Sequence, residues 1–176
     1  MSLFVNFPKI NFKVDDYNSI RAVDITTSIR IKKFLKEYRG IRYNPYIIRD
    51  GERPDTVSFK IYQNPNYDWL VMLVNDIYSV YDDWPKDQET FKKYIIEKYG
   101  SITAASSEIK YYYDAQKTII DFETYHTLPS TQRSSESCLQ YEQRLNDNKS
   151  RIRVIQPGLI GTIQTQLNSE LISPIR

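Results

Sequence analysis

Two adjacent carboxylates, Asp82 and Asp83, stand among Tyr78, Tyr81 and Trp84, the densest run of chemically capable side chains in the sequence. Paired acids beside aromatic rings can cleave a glycosidic bond or hold a hard cation. Glycoside chemistry needs the two carboxyls to flank the scissile bond several ångströms apart, which neighbours on a turn rarely do. A calcium-type site needs about six oxygens, more than this string supplies. Turn formation and helix capping are therefore the expected roles. His126 is the single histidine, with no second imidazole, nucleophile or acid cluster to work with, and reads as a loop residue. Cys138 is the single thiol. It excludes an internal disulfide and a thiolate metal cage, and its place on an apolar helical face suits a buried small hydrophobe. No Gly-x-Ser-x-Gly elbow or Cys/His pairing occurs, and five scattered glycines do not make a phosphate cradle. No catalytic residue, cofactor or metal is expected, and the chain does not read as an enzyme.

The elements that hold this stretch begin upstream. Ile47-Ile48 reads as a short strand, and Asp50-Gly51 as a turn in which Gly51 takes positive φ. Pro54 fits the first turn of a helix, where its missing N–H is no loss. Val57 and Ile61 share that helix's inner face. Asn64-Pro65 ends it and starts another, in which Tyr67, Leu70, Val71 and Val74 form one apolar stripe. A return strand near Tyr78–Tyr81 would complete a βααβ unit. Such a unit is below the ~70 residues at which a core alone is secure, so it should lean on the rest of the chain.

The string Tyr46-x-Ile48-x-x-Gly51-Glu52, Val57-Ser58, Ile61-Tyr62, Asn64-Pro65 and Asn75 resembles a LysM module, a small βααβ fold best known for binding N-acetylglucosamine glycans. A longer string is similar to a narrower family, the gene product fifty-three baseplate wedge subunits of T4-like contractile phage tails. It comprises Arg53-Pro54 after the glycine turn, Tyr62-Gln63-Asn64-Pro65, Trp69 followed by Asn75-Asp76, and Trp84. The combined string is far more specific than the LysM pattern alone.

Upstream, residues 1–20 place Phe4, Phe7, Phe12 and Tyr17 among Asn, Asp and Pro, as in an extended N-terminal arm. Ala22–Ile25 is a possible strand, Thr27–Tyr38 a helix ended by Gly40, and Ile41–Pro45 a connector with an Asn44-Pro45 turn. Downstream, Asp87 caps a helix reaching Tyr99, and Ser101–Ser107 reads as a linker. Ile109–Tyr113 and Thr118–Thr124 read as a hairpin around Asp114–Lys117, and Leu128–Glu136 as a polar linker or mobile loop. Cys138, Tyr141 and Leu145 share a helical face, with Glu142, Arg144 and Asp147 as its charged complement. Arg151–Val154 alternates as a strand, Pro157-Gly158 breaks it, and Ile160, Ile163, Leu167 and Leu171 form a closing amphipathic helix. The expected class is α+β: a LysM-like βααβ core with flanking helices, a β-hairpin and the arm. The organisation expected is 1–40 for arm and helix, 41–100 for the LysM-like unit and following helix, and 101–176 for hairpin and helix-strand-helix.

Composition narrows the function. The longest apolar run, Leu70–Val74, is far short of the ~20 residues of a membrane span. Met1–Asn6 lacks the charged start and apolar centre of a signal peptide, so a soluble protein made in the host cytoplasm is expected. A net charge of +2 without a Lys/Arg block argues against nucleic acid. Fifteen tyrosines favour extensive interfaces, with strand and rim filling as the alternative. The resemblance implies a structural subunit of the virion tail baseplate. Its implied partners are the other wedge subunits, among them the inner-ring wedge chains and the sheath-initiator protein, in a sixfold assembly whose wedges it helps join around the hub. Arg53, Trp69, Trp84, Tyr78 and Tyr81 are the candidate contact residues, since Arg and Trp dominate hot spots. For both Trp a core role competes. Gly51, Pro54, Asn64 and Pro65 are structural turn residues. The alternative is a LysM-type peptidoglycan- or chitin-binding module, with sugar held by Asp50–Arg53 and Asn75–Tyr78.

Overall fold

The computed structural model describes residues 9–23, 32–33, 35, 37 and 40–165. Phe4, Phe7, most of the helix expected at Thr27–Tyr38 and the Leu167 and Leu171 positions of the closing stripe lie outside them. The class is α+β. Two compact units divide the chain: unit 1 holds residues 1–47, 52–80 and 152–176, and unit 2 holds 48–51 and 81–151.

In unit 1 the segment expected as an irregular arm is a hairpin of β1 (Lys9–Lys13) and β2 (Ser19–Val23), antiparallel with Phe12 opposite Ile20. Its loop explains it. The Asp15 carboxylate accepts from the Tyr17 and Asn18 N–H groups at 2.8 and 2.6 Å, an Asx turn that reverses the chain. The Asn18 amide also bonds this carboxyl and, with those two N–H groups, holds its pKa below the usual value.

The strand expected at Ile47-Ile48 starts earlier, as β3 (Tyr43–Ile47), so Asn44-Pro45 lies within a strand and makes no turn. Gly51 then takes φ +73°, and α1 (Pro54–Tyr62) begins with proline in its first turn. Gln63 ends α1 in the left-handed region at φ 55°. Asn64 caps a 3-10 turn over Pro65–Tyr67, and α2 (Asp68–Val74) follows, burying Leu70, Val71 and Val74 as the stripe requires.

No strand forms at Tyr78–Tyr81. The strand paired with β3 is β7 (Arg151–Ile155), which the chain reaches only after residues 81–151. The Ile48 N–H donates to the Ser150 carbonyl and the Gln156 N–H to the Arg42 carbonyl, at 2.9 and 3.0 Å, which makes the pair antiparallel. That register turns the backbone of the even-numbered β3 residues toward β7. Pro45 is odd-numbered and so withholds its N–H from the outer edge, where a strand tolerates proline. The other edge of β7 faces the helices, and side chains satisfy it. The Asn75 amide accepts from the Arg153 N–H at 2.9 Å, donates to the Arg153 carbonyl at 2.8 Å and ties both to the Val71 carbonyl at 2.7 Å. The Tyr62 hydroxyl accepts from the N–H of Ile155, whose side chain is fully buried. The core of unit 1 gathers Leu35, Leu70, Val74, Ile155, Ile160 and Ile163, and residues 160–165 are helical.

In unit 2, α3 (Gln88–Tyr99) is capped by Asp87, whose carboxylate accepts from the Thr90 N–H at 2.8 Å, and Gly100 ends it. Three expectations change here. Ser101–Ser107 is largely helical, as α4 (Ile102–Ser107), because Ser101 caps it and Ala105 packs fully buried. The second hairpin strand is only β5 (Ile119–Ile120), paired with β4 (Ile109–Asp114). Asp121 then caps α5 (Phe122–Thr127), which places His126 on a helix. The polar stretch Leu128–Glu136 supplies β6 (Arg133–Ser137), the other neighbour of β4. Ser137 ends β6 and opens α6 (Cys138–Ser150) with a capping box to Gln140. Cys138 is buried, as its helical position implied.

The clamps on β7 have a measurable cost. Losing a partner of a buried backbone group costs about 1–3 kcal/mol. Tyr62→Phe, which strips the part-buried Ile155 N–H of its acceptor, is expected to lower stability to urea by about that much. The Arg153 groups held by Asn75 are exposed, so Asn75→Ala is expected to cost less, about 0.5–1.5 kcal/mol. Asn75→Asp keeps an acceptor but loses the donor, and is not expected to restore it.

Candidate partner-binding surface

Arg53 occupies the N-cap position of α1 without capping it. Its side chain is 80% exposed and lies 3.5 Å from the Asp55 carboxylate. Beside it, Glu52 is buried. Its carboxylate accepts from the Tyr46 hydroxyl at 3.0 Å and pairs with the Lys60 ammonium. Tyr78 is exposed, and its hydroxyl accepts from the Lys32 ammonium, which also pairs with Asp76. Trp69 is half-buried against the core of unit 1. Asn64 and Pro65 shape the break between α1 and α2, where the buried Ser58 hydroxyl donates to the Asn64 carbonyl at 2.6 Å.

The other two candidates belong to unit 2. Tyr81 is 86% exposed, whereas Trp84 is 5% exposed. Trp84 is therefore buried, in line with the core role the sequence left open. The five candidates do not share one unit.

Sequence reasoning missed Val14 and Ile20. With Phe12 and Tyr17 they leave the β1–β2 hairpin with four large side chains at least half exposed. The usable signal was alternation in Lys9-x-Asn11-x-Lys13 against Phe12 and Val14, with the Asp15–Asn18 turn between the strands.

It also missed Glu142. Placed on the polar face by pattern, this residue is 5% exposed. Its carboxylate accepts from Lys98 at 2.7 Å, Tyr99 at 2.9 Å and Tyr94 at 3.0 Å. Burial alone would raise its pKa, but the bonds from Lys98, Tyr99 and Tyr94 outweigh it and hold the carboxyl below its ordinary value. Burial, then the bond to Glu142, pushes the Tyr99 phenol up to about 12. The Lys98 ammonium is raised too, first by its bond to Glu142. Glu136 repeats the motif, bonded by Arg144 at 2.7 Å and Tyr113 at 2.8 Å. Five tyrosines (46, 62, 94, 99 and 113) thus have part-buried hydroxyl bonds within the fold, whereas those of Tyr67 and Tyr78 are exposed. Part of the tyrosine excess that read as interface therefore serves the interior.

Among the described residues no group of three or more His, Cys, Asp or Glu could hold a metal ion, and no helix is long and apolar enough to cross a membrane. What the surface offers is contact area, and comparison with known proteins says what kind of protein carries it. A family model described as base plate wedge protein 53 matches residues 2–131. The chain belongs to that wedge family. Baseplate wedge protein gp53 of Enterobacteria phage T4 is 29% identical over 103 residues, which cover 57% of this chain and 53% of that protein. The chain thus spans about half the length of the curated relative it matches. Membership places it among the structural proteins of the phage tail baseplate. The wedge-family match contains both clamp residues, Tyr62 and Asn75, but not the strand they hold at Arg151–Ile155.

The Glu142 cluster makes the stability of unit 2 depend on pH, together with Asp87, Asp121 and Glu136, whose carboxyls are also held low. A carboxyl with a lowered folded pKa stabilises above its unfolded value of about 4.3, and the contribution is lost as pH falls through the folded pKa. Raised groups such as Tyr99 and Lys98 act oppositely. Their contribution is complete below the unfolded value, about 10 for Tyr, and is lost as pH rises through the folded one. Thermal melts are expected to show a plateau between about pH 5 and 9 with a fall on each side. Glu142→Gln is expected to shrink both falls and lower the plateau by about 1.5–3 kcal/mol, the value of a hydrogen bond to a charged group.

Proposed function

We propose that the protein is a structural, non-enzymatic subunit of a contractile-tail baseplate wedge that binds neighbouring wedge proteins and helps join wedges into a ring around the hub. Family membership supports the wedge role, and one structural observation carries the binding role. The β1–β2 hairpin pairs only with itself among the described strands, and it presents Phe12, Val14, Tyr17 and Ile20 to solvent. An isolated two-stranded hairpin is marginal in water, so a surface of this kind gains its stability where another protein covers it. Arg53 and Tyr78 on unit 1 and Tyr81 on unit 2 are the further contact residues we propose. Trp69 supports the surface of unit 1 from beneath. The inner-ring wedge chains and the sheath-initiator protein are the proposed neighbours. Closure of a sixfold ring requires each contact to be heterologous, with a rotation that returns on itself.

The glycan-binding alternative has a cleft of about 270 Å³ beside Asp50 and Gly51. Asp50 however caps the Gln88 N–H at 2.9 Å, Asn75 holds β7, and Asp76 and Tyr78 share Lys32. Most of the polar groups a sugar would use are engaged within the protein, which supports the wedge reading over this one.

Phe12→Thr with Ile20→Thr, a cross-strand pair that keeps strand propensity, is expected to leave the melting profile nearly unchanged and to abolish co-purification with wedge subunits. Retained assembly with this variant would refute the hairpin's role. Chitin oligomers are expected to leave tryptophan fluorescence unchanged up to about 1 mM, a Kd corresponding to about −4 kcal/mol. Saturation at micromolar ligand would restore the glycan reading.

A further inference from the structure

Within unit 2, α3 and α6 enclose a cleft of about 360 Å³, a size typical of binding pockets, ~300–1,000 Å³. Glu142 lies at its floor, already bonded by Lys98, Tyr99 and Tyr94, and so adds no unmet demand. Its walls include Phe91, Tyr141 and the partly exposed Leu145. Two further lysines stand at the rim, and their positions are built. The Lys86 backbone is gripped in both directions by the Asn146 side chain of α6, at 2.8 and 2.9 Å. Its ammonium donates to the Tyr81 carbonyl at 2.7 Å and lies 5.5 Å from the Tyr94 ring centroid. The Lys149 ammonium donates to the carbonyl of the next residue, Asp82.

Two cations are thus tethered to consecutive carbonyls. Neither takes part in any of the ion pairs found among the described residues. Holding like charges together costs Coulomb energy that an incoming anion would remove. Asp82 puts one carboxylate beside them, too little to neutralise both. A nucleic-acid strand would call for a longer basic stripe than two lysines supply. An acidic side chain next to an apolar one matches both the paired ammoniums and the Phe91, Tyr141 and Leu145 walls.

We propose that this cleft docks an acidic, apolar-flanked peptide segment of a neighbouring baseplate protein, a reading that rests on the wedge role above and names the chemistry of one partner. The test uses the full chain and a fluorescein-labelled peptide, Gly-Asp-Phe-Glu-Leu-Asp-Gly, with a control in which Asn and Gln replace the acids. The acidic peptide is expected to bind saturably and the control not to bind. Binding is expected to weaken at least tenfold in Lys86→Gln with Lys149→Gln, and also as salt rises toward about 1 M, where screening acts within ~3 Å. No saturable binding up to about 1 mM peptide, the weak end of specific association, would overturn the proposal. Equal binding of the control would do the same, as would displacement by duplex DNA or inorganic phosphate at concentrations below those of the peptide. Assembly with wedge subunits separates the two readings. A wild-type chain that assembles while the double lysine variant assembles equally well overturns the cleft alone. A wild-type chain that fails to assemble overturns the wedge role, and peptide binding then decides the cleft by itself.

Discussion

The placement of β7 is the constraint on which unit 1 depends. A strand carries polar groups on both edges, and every buried one must find a partner. On one edge β7 meets β3. On the other, no third strand pairs with it among the described residues, and two side chains take the place, the Asn75 amide and the Tyr62 hydroxyl. An amide suits this task because it donates and accepts in the geometry of a peptide group. Ile152, Val154 and Ile155 are thereby held with their side chains buried, and Ile155 joins the same core as Leu70 and Val74. Burial raises the Tyr62 phenol to about 12 and its acceptor role with Ile155 pulls the other way, so the clamp stays neutral through the physiological range.

A second device recurs in both units. Glu52 with Tyr46 and Lys60, Glu142 with Tyr94, Tyr99 and Lys98, and Glu136 with Tyr113 and Arg144 each place a shielded carboxylate between phenols and one cation. Burying a charge is tolerable only when its lone pairs are filled. Tyrosine fills them with a donor that brings its own apolar ring. A polar chain with a mean hydropathy of −0.56 gains fixed internal geometry in this way without a large aliphatic core.

Local features were legible in the sequence wherever local chemistry decides them. The Asp50-Gly51 turn, Pro54 at the head of α1, the Leu70, Val71 and Val74 stripe and the Asp87 cap all depend on neighbours within one turn. What stayed hidden depends on distant partners. Tyr78–Tyr81 has the composition of a strand, but the place beside β3 is taken by the distant Arg151–Ile155, and no local pattern reports that. Arg133–Ser137 has the composition of a linker and becomes a strand because β4 needs a second neighbour. Glu142 looked solvent-facing because periodicity assigns charge to the outside. Only the meeting of α3 with α6 shows three donors converging on it. Among the candidate contacts, exposure separated Tyr78 and Tyr81 from Trp84, a distinction that residue type does not carry.

The motif residues that carry the resemblance to the wedge family thus divide into those that build unit 1 and those left on its surface. Tyr62, Asn64 and Asn75 build, and Arg53 is left outside. If β7 is the keystone, its inward-facing amides must open only when the whole unit opens. Native-state hydrogen exchange on the full chain reads this directly through the Arg153 and Ile155 N–H groups. The account predicts protection equal to that of the α2 core amides around Val71 and Val74. Rapid exchange of Arg153 and Ile155 while α2 stays protected would show that β7 is an accessory to unit 1 and would contradict the account.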